Sequence, residues 1–303
     1  MAASTVMDMS DDRRILITDL DNTLWDWFEA WYQSFSALLN GLHESTGIEQ
    51  TLLEDQIRCV HRQRGTTEYS NLIREVPALV DFAKGRDPFD VFDEALHAQS
   101  SARRRATQLY PGVIDVLKVL KARGVRIVAY TESGAYWTEW RIQHTGLDGI
   151  IDVLYSSPDH DLAAGLTPAD LRTGRYQGTY GLTATAHRHV PLGVLKPNVH
   201  VLSTILREQG CALSRASYLG DSLMKDIAMA QAAGVFDIHA AYGQVQHRDE
   251  YDLLRRVTHW TDSDVEKERE LAKPQNDVIP TATCQEGISE ILPIMGLTPV
   301  STR

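Results

Sequence analysis

Cysteine and long apolar runs are both scarce in this sequence. Its 303 residues include three cysteines, Cys59, Cys211 and Cys284, which lie far apart and form no metal-ligand pair. A sparse, odd-numbered set argues against a disulfide framework and is typical of a reducing cytosol. No apolar stretch approaches the roughly 20 residues needed to span a bilayer. We therefore expect a cytoplasmic protein that has no membrane partner.

Positive charge is also in deficit. The chain has 30 Lys and Arg against 41 Asp and Glu, which gives a formal net charge of -11. An acidic surface repels nucleic acid as well as anionic lipid, so neither is an expected partner. Residues 1–12 lack the basic start and the apolar run of a signal peptide, and we expect them to form a loose tail.

Short apolar runs alternate with helical patterns along most of the chain. Runs that predict strands occupy residues 14–19, 125–130, 150–155, 216–219 and 235–240. Strands that alternate with helices indicate a parallel sheet with helices on both faces. Residues 25–107 instead show helical spacing and no strand pattern, over a length sufficient for a small helical domain. Residues 156–193, which are rich in Gly, Thr, Arg and His, show no assignable pattern.

We therefore predict an α/β fold that has two parts. A Rossmann-like core with a parallel sheet comprises residues 1–23 and 108–303, and a helical domain inserted into it comprises residues 24–107. In open parallel sheets, ligands bind at the carboxyl ends of the strands. The polar residues at or near those ends, or just before a helix, are Asp19, Asp21, Thr131, Lys196 and Asp221. Side chains from four separate parts of the chain are thus expected to meet at one edge of the sheet.

The sequence Asp19-Leu20-Asp21 places two carboxylates one residue apart, directly after the first predicted strand. Residues i and i+2 of an extended chain point the same way, so both acids can reach one reaction centre. One carboxylate can attack phosphorus and form an aspartyl phosphate, while the other moves protons to the leaving oxygen and from water. Two acids this close need a cation, which implies magnesium. An acidic surface turn is the alternative; a calcium loop is excluded because Leu24 and Ala30 stand where it needs Gly and Glu.

A second acidic motif follows a later predicted strand. Gly220 permits a tight turn from strand to helix, Asp221 stands at its mouth, and Asp226 follows in the next helix. Acids near the start of a helix are favoured by its dipole and can hold a metal ion. The alternative is an ordinary Asp or Ser helix cap.

Two further residues have side chains suited to a phosphate. Lys196 precedes Pro197, and we expect this pair to begin a helix with the proline in its first turn. The ammonium group there would neutralise a carboxylate and a phosphoryl oxygen together. Thr131 ends a predicted strand and offers a hydroxyl and nearby backbone N–H groups. Taken alone, such a lysine is usually a solvated charge, and threonine is common at strand ends.

The order of these motifs resembles the four-motif pattern of the haloacid dehalogenase (HAD) superfamily, over about residues 14–295. That pattern consists of an acid pair, a Thr, a Lys-Pro helix start and a Gly-Asp-Ser followed by a further Asp. The helical domain resembles the cap that closes over small substrates in the phosphoglycolate-phosphatase-like branch. Glu132 departs from the pattern, because many relatives have Asn or another small polar residue after the threonine.

The resemblance implies a role for each residue that performs the chemistry. Asp19 is implied to be the nucleophile and Asp21 the general acid/base. Thr131 and Lys196 resemble the phosphate-binding pair. We therefore predict a phosphatase that acts on a small phosphorylated metabolite. Which metabolite is not indicated, because side chains of the helical domain would select it.

The resemblance also implies a Mg²⁺ site. Asp221 resembles the direct ligand, and Asp226 resembles a ligand or an acid beside the ligands. Asp19 completes the set of carboxylates, and Asp21 is implied to contribute its backbone carbonyl.

Other functions on the same fold are the alternatives. A phosphomutase or another phosphotransferase would keep both acids of the first motif. Asp21 argues against a dehalogenase, which needs no second acid at that position, and the complete set of motifs argues against a non-catalytic binding module. His187 and His189 suggest a separate metal site, although a decorated surface loop is the interpretation that we favour.

Overall fold

The computed structural model describes residues 15–159, 162, 165, 167–172, 181–263, 265–266 and 278–297. The loose tail expected at residues 1–12 lies outside these. None of the described helices is both long enough and apolar enough to cross a membrane.

The described residues form seven strands and twelve α-helices. The strands are β1 (Ile15–Thr18), β2 (Arg126–Gly134), β3 (Val153–Ser157), β4 (Ala186–His189), β5 (Ala216–Gly220), β6 (Phe236–Ala240) and β7 (Ala282–Cys284). The first six helices are α1 (Trp27–Thr46), α2 (Gln50–Arg64), α3 (Pro77–Ala83), α4 (Pro88–Val91), α5 (Asp93–Ala106) and α6 (Val113–Ala122). The others are α7 (Ala135–His144), α8 (Pro168–Arg172), α9 (Val199–Glu208), α10 (Ala228–Ala233), α11 (Tyr251–Val257) and α12 (Ile291–Ile294).

The seven strands form one parallel sheet in the order β4-β3-β2-β1-β5-β6-β7. The chain runs outward from the central strand β1 to β4 and then returns to β5, which lies directly beside β1. At the end of β1, Thr18 is level with Ala129 of β2 and Leu219 of β5. The sheet order therefore reverses beside β1, where open α/β sheets bind their ligands. The predicted α/β fold with a parallel sheet is confirmed.

Both faces of the sheet are buried. On β1, Leu16 packs into an apolar cluster with residues of α6 and α12. Ile15 and Ile17 point to the opposite face and pack with residues of α9 and α10. A central parallel strand covered by helices on both sides has no solvent face, which explains the uninterrupted apolar run in its sequence.

Helices α1 to α5, which we call the helical segment (residues 27–106), have an apolar core of their own. Asp26 caps α1 by accepting a hydrogen bond from the Glu29 backbone N–H at 2.8 Å. The core of the segment also includes four residues from much later in the chain, Val245, Tyr251, Leu254 and Val257. Helix α11 therefore packs as part of the helical segment rather than against the sheet.

Four elements were not predicted from the sequence, namely β4, β7, α8 and α11. Strand β4 lies within residues 156–193 and is the edge of the sheet, where most of its side chains are exposed and therefore polar. The expectation that Pro197 lies in the first turn of a helix was wrong. Helix α9 begins at Val199, because Asn198 is the cap whose side chain accepts the Val201 N–H at 3.0 Å.

Candidate active site

The turn after β1 holds Asp19 at the edge of the sheet that is formed by the carboxyl ends of the strands. Its backbone N–H donates to the Leu219 carbonyl at 2.8 Å, which continues the pairing with β5. Its carboxylate Oδ2 accepts a hydrogen bond from the Thr23 hydroxyl at 3.2 Å. Asn22 has a φ of 58°, in the left-handed region that asparagine tolerates. The turn is packed closely, since a Cβ atom on Gly243 would lie 1.7 Å from the Asn22 carbonyl oxygen.

Two acids that follow β5 lie close to Asp19 in this turn. Carboxylate oxygens of Asp19, Asp221 and Asp226 all lie within 4.8 Å of one another. Asp226 reaches the cluster from a π-helical turn, Leu223–Ile227, between β5 and α10. Its carboxyl group lies against Gly220, where an added Cβ would be 2.4 Å from Asp226 Cγ. Gly220, the last residue of β5, is thus required for the close approach of the Asp226 carboxyl group.

Lys196 joins two of these acids. Its Nζ donates to Asp19 Oδ1 at 2.5 Å and to Asp226 Oδ1 at 2.9 Å, and its side chain is 2% exposed. The Tyr218 hydroxyl donates to the same Asp226 oxygen at 2.9 Å. The ammonium also lies 4.9 Å from the centre of the Tyr130 ring, a favourable arrangement for a cation. Sequence reasoning had selected Lys196 but not the two tyrosines, whose positions on buried strands carry no functional signal.

Burial and mutual repulsion make the three acids difficult to ionise together. Burial raises the pKa of Asp19 to about 7, against the lowering effect of Lys196 and with a further raising effect of Asp226. Burial, followed by the charges of Asp19 and Asp226, also raises the pKa of Asp221 well above its ordinary value. Burial opposes the charge of Lys196, yet Asp19 and Asp226 outweigh it and raise the pKa of the lysine.

This donor set fits a magnesium ion. One buried ammonium faces three carboxylates, so the cluster has an excess of negative charge. Clustered carboxylate oxygens are the ligands that hard divalent cations prefer. A cation bound there would offset the repulsion that raises the pKa of Asp19 and Asp221.

Asp21, the second acid of the first motif, has different partners. Its Oδ1 accepts a hydrogen bond from Trp25 Nε1 at 2.7 Å, and its Oδ2 accepts one from the Ser133 hydroxyl at 2.5 Å. Its charge still raises the pKa of Asp19, so the two carboxyl groups are close enough to interact. Asp21 is therefore beside the cluster of three acids rather than part of it. Ser133 was missed by sequence reasoning, although it lies two residues after Thr131.

Thr131 is buried in β2, which extends past it to Gly134 with an irregular register between Tyr130 and Gly134. Its hydroxyl oxygen accepts a hydrogen bond from the Ser133 N–H at 3.1 Å. The threonine thus shapes the end of the strand that carries Ser133 to Asp21.

A buried arginine connects this edge of the sheet to the helical segment. Arg141 on α7 forms an ion pair with Glu68 of the helical segment and lies 3.7 Å from Asp21 Oδ1. Glu68 also accepts hydrogen bonds from Trp27 Nε1 at 3.3 Å and, through its carbonyl, from Trp137 Nε1 at 2.9 Å. Neither charged residue was selected from the sequence, because nothing in the local pattern distinguishes them from solvated helix residues.

The two histidines of β4 lie apart from this cluster. Both ring nitrogens of His187 have partners, with Nδ1 2.9 Å from Glu139 Oε1 and Nε2 2.8 Å from the Ser156 hydroxyl. The rings of His187 and His189 contact each other edge-on. Among the residues that the structure describes, the one group of three possible metal ligands is the acid cluster at Asp19.

Comparison with known proteins gives one family match. The model of the haloacid dehalogenase-like hydrolase family matches residues 14–234. No curated protein sequence matches the chain.

Solved structures share the fold at low sequence identity. One is the HAD-hydrolase YfnB from Bacillus subtilis, bound to magnesium, with a TM-score of 0.50 and 15% identity over 94% of this chain and 99% of that one. Another is 2-haloacid dehalogenase from Pseudomonas syringae pv. Tomato DC3000, with a TM-score of 0.51 and 20% identity over 93% and 99%.

Proposed function

Because this chain belongs to the haloacid dehalogenase-like hydrolase family, we propose that it is a magnesium-dependent phosphatase that hydrolyses a small phosphomonoester. The observation that carries the proposal is the buried cluster in which Lys196 joins Asp19 to Asp226, with Asp221 beside them. A lysine that holds a carboxylate at 2.5 Å fixes the direction of that carboxylate and can also contact a phosphoryl oxygen.

Magnesium would be held by Asp19 and Asp221, with Asp226 and the Asp21 backbone carbonyl completing the protein ligands. The ion supplies positive charge that holds a phosphate dianion beside the carboxylates. The magnesium bound to YfnB, a protein of similar fold, is consistent with this assignment. Without a cation, the acidic cluster would repel the substrate that it is proposed to bind.

The chain's own residues divide the reaction into two steps. An oxygen of Asp19 attacks phosphorus and forms an O–P bond, while the bond from phosphorus to the leaving oxygen breaks and that oxygen takes a proton from Asp21. Water then attacks the same phosphorus and gives a proton to Asp21, while the bond from phosphorus to the Asp19 oxygen breaks. Inorganic phosphate is released and the Asp19 carboxylate is restored. Thr131 and Lys196 bind the phosphoryl oxygens during both steps.

A release assay over a panel of small phosphate esters tests the proposal. We expect activity that EDTA abolishes and excess magnesium restores, and no turnover by the Asp19→Asn variant. Asp115→Asn, at an exposed position of α6, is the matched control and should keep full activity. Full activity in excess chelator, or normal turnover by Asp19→Asn, would contradict the proposal.

The same assay distinguishes the alternatives. A phosphomutase would transfer the phosphoryl group to a sugar and release little inorganic phosphate. A dehalogenase would release halide from a haloacid without magnesium and would tolerate Asp21→Asn. A non-catalytic binding module would bind a phosphorylated ligand without turnover.

A further inference from the structure

We propose that Glu132 is a positioning residue that fixes Lys196 in the active site, an inference that rests on the function proposed above. Its Oε1 accepts a hydrogen bond from the backbone N–H of Lys196 at 2.6 Å. Its Oε2 forms an ion pair with Lys225 Nζ, also at 2.6 Å. Glu132 is the residue that departs from the family pattern, and these two contacts give the departure a structural purpose.

Apolar contacts hold the loop that carries Lys196 only in part, through Val194, which packs partly buried against the apolar cluster at α9 and α10. Leu192 and Leu195 are 61% and 63% exposed, so apolar burial does not hold the loop at these positions. The side chain of Lys196 is nevertheless almost fully buried between Asp19 and Asp226. A hydrogen bond from a backbone N–H to a carboxylate is charge-assisted, and about twice as strong as a neutral one. Glu132 therefore fixes the backbone from which the lysine extends.

The second contact of Glu132 reaches a different part of the site. Lys225 belongs to the π-helical turn Leu223–Ile227, which also carries Asp226. One carboxylate at the end of β2 thus connects the loop of Lys196 with the turn of Asp226, and these two residues bind each other.

The side-chain hydrogen bonds of Glu132 go to the backbone N–H of Lys196 and to Lys225 Nζ, and not to Asp19 or to the Lys196 ammonium that is proposed to bind phosphate. Both of its oxygens are engaged, one by a backbone N–H and one by an ammonium, and these contacts offset the charge that would otherwise repel a phosphoryl group. Its contribution is therefore the position of Lys196, and a displacement of about 1 Å at such a residue can cost on the order of 10²-fold in rate.

Three variants separate the two contacts. Glu132→Ala removes both, Glu132→Gln keeps an oxygen that can accept the Lys196 N–H, and Lys225→Met removes the ion pair alone. We expect kcat to fall by about 10²-fold in Glu132→Ala, with partial recovery in Glu132→Gln and a smaller loss in Lys225→Met. Glu208→Ala is the control, because Glu208 also has two partners, Arg188 and Tyr155, but lies away from the site.

A second measurement follows Lys196 without relying on turnover. Acylation of lysines by an amine-reactive ester, read by mass spectrometry, should be slow at Lys196 in the wild type and faster in Glu132→Ala. Glu132→Gln, which conserves shape and an acceptor, should remain close to the wild type. Circular dichroism identifies any variant that fails to fold, in which case Glu132→Gln and Lys225→Met provide the comparison.

The outcomes separate this inference from the proposed function. Wild-type kcat and wild-type protection of Lys196 in Glu132→Ala would overturn the positioning role. If Lys196 loses its protection in Glu132→Ala while the wild-type protein hydrolyses no phosphate ester, the positioning role is supported and the proposed phosphatase function is overturned.

Discussion

The two acids of the first motif have different neighbours, and at the scale of single residues this predicts different kinetic roles. Asp19 is held by Lys196 and Thr23, whereas Asp21 is held by Trp25 and Ser133. The lysine contact leaves Asp19 suited to attack phosphorus. Asp21 accepts its hydrogen bonds from two neutral groups and lies 3.7 Å from the guanidinium of Arg141, so it is better suited to move protons.

Asp21→Asn should therefore still form the phosphoryl enzyme from an activated aryl phosphate but hydrolyse it slowly. A good leaving group needs little protonation, while attack by water needs a base for every substrate, so the second step suffers most. The expected loss of turnover is about 10²–10⁴-fold. Rapid quench and intact-mass measurement should detect an adduct on Asp21→Asn that maps to Asp19, and none on Asp19→Asn. An adduct on a histidine or serine would contradict the mechanism.

The raised pKa of Asp19 predicts how the stability of the metal-free protein depends on pH. A solvated aspartate has a pKa of about 3.9, and folding raises the pKa of Asp19 to about 7. Between these values the folded state holds a proton that the unfolded state has released, so the free energy of unfolding falls as the pH rises.

Urea unfolding in chelator, near pH 5 and near pH 8, tests this sign. Asp19→Asn has no carboxyl group to ionise and should lose less stability over that interval than the wild type, by on the order of a few kcal/mol. Magnesium favours the ionised acids and should stabilise the wild type more at the higher pH than at the lower. Parallel pH profiles of the two proteins would show that burial does not hinder ionisation of Asp19.

At the scale of secondary structure elements, the contact between Glu68 and Arg141 predicts an energetic link between the helical segment and the sheet. The side chains of Arg141 and Glu68 are 3% and 14% exposed, so the pair is largely removed from water. Removing one partner of a buried pair leaves the other charge uncompensated.

A double-mutant cycle with Glu68→Gln and Arg141→Met should therefore give a coupling energy of about 1–3 kcal/mol in urea unfolding. The control is the pair of Arg188 and Glu208, whose side chains are 48% and 40% exposed and whose coupling should be at most about 1 kcal/mol. Equal coupling energies in the two cycles would mean that the pair of Glu68 and Arg141 contributes no more to stability than an exposed surface ion pair.

The elements that the sequence predicted correctly are those with a strong periodic pattern. Strands β1 and β5 are covered on both faces, so their apolar runs are continuous and easily recognised. Strand β4 is polar because it is an edge, and β7 has only three residues, so neither produces a pattern. Helix α11 was missed because the core that it joins belongs to a segment far away in the sequence.

The residues of the candidate site also divide into those that a local pattern identifies and those that it does not. Acids and a lysine that end strands or precede helices were found by position, and the structure brings Asp19, Lys196, Asp221 and Asp226 together. Arg141 could not be found in this way, and Glu132 was noticed only as a departure from the family pattern, because each acts through a partner distant in the sequence. Contacts of that kind depend on the register and packing of elements, which a local pattern does not contain.

At the scale of the whole molecule, the packing of α11 affects how the helical segment can be tested. Deleting residues 24–107 would expose Val245, Tyr251, Leu254 and Val257, which pack in the core of that segment. Such a deletion would therefore impair folding as well as any closure over the site. Selectivity of the intact enzyme is the cleaner measurement.

We expect small phosphomonoesters to be hydrolysed with a higher kcat/KM than phosphopeptides or 5′-phosphorylated oligonucleotides. The helical segment reaches the edge of the sheet where Arg141 lies between Glu68 and Asp21, so it would restrict the space above Asp21. The net charge of -11 adds a repulsion that is greatest for the oligonucleotide.

Raising the ionic strength from about 0.01 to 0.15 M shortens the screening length from about 30 to 8 Å and should reduce the penalty for the oligonucleotide. The penalty for a phosphopeptide without net charge beyond its phosphate should remain, because it is steric. Equal kcat/KM values for the small ester and the phosphopeptide would show that the helical segment does not limit access to Asp19.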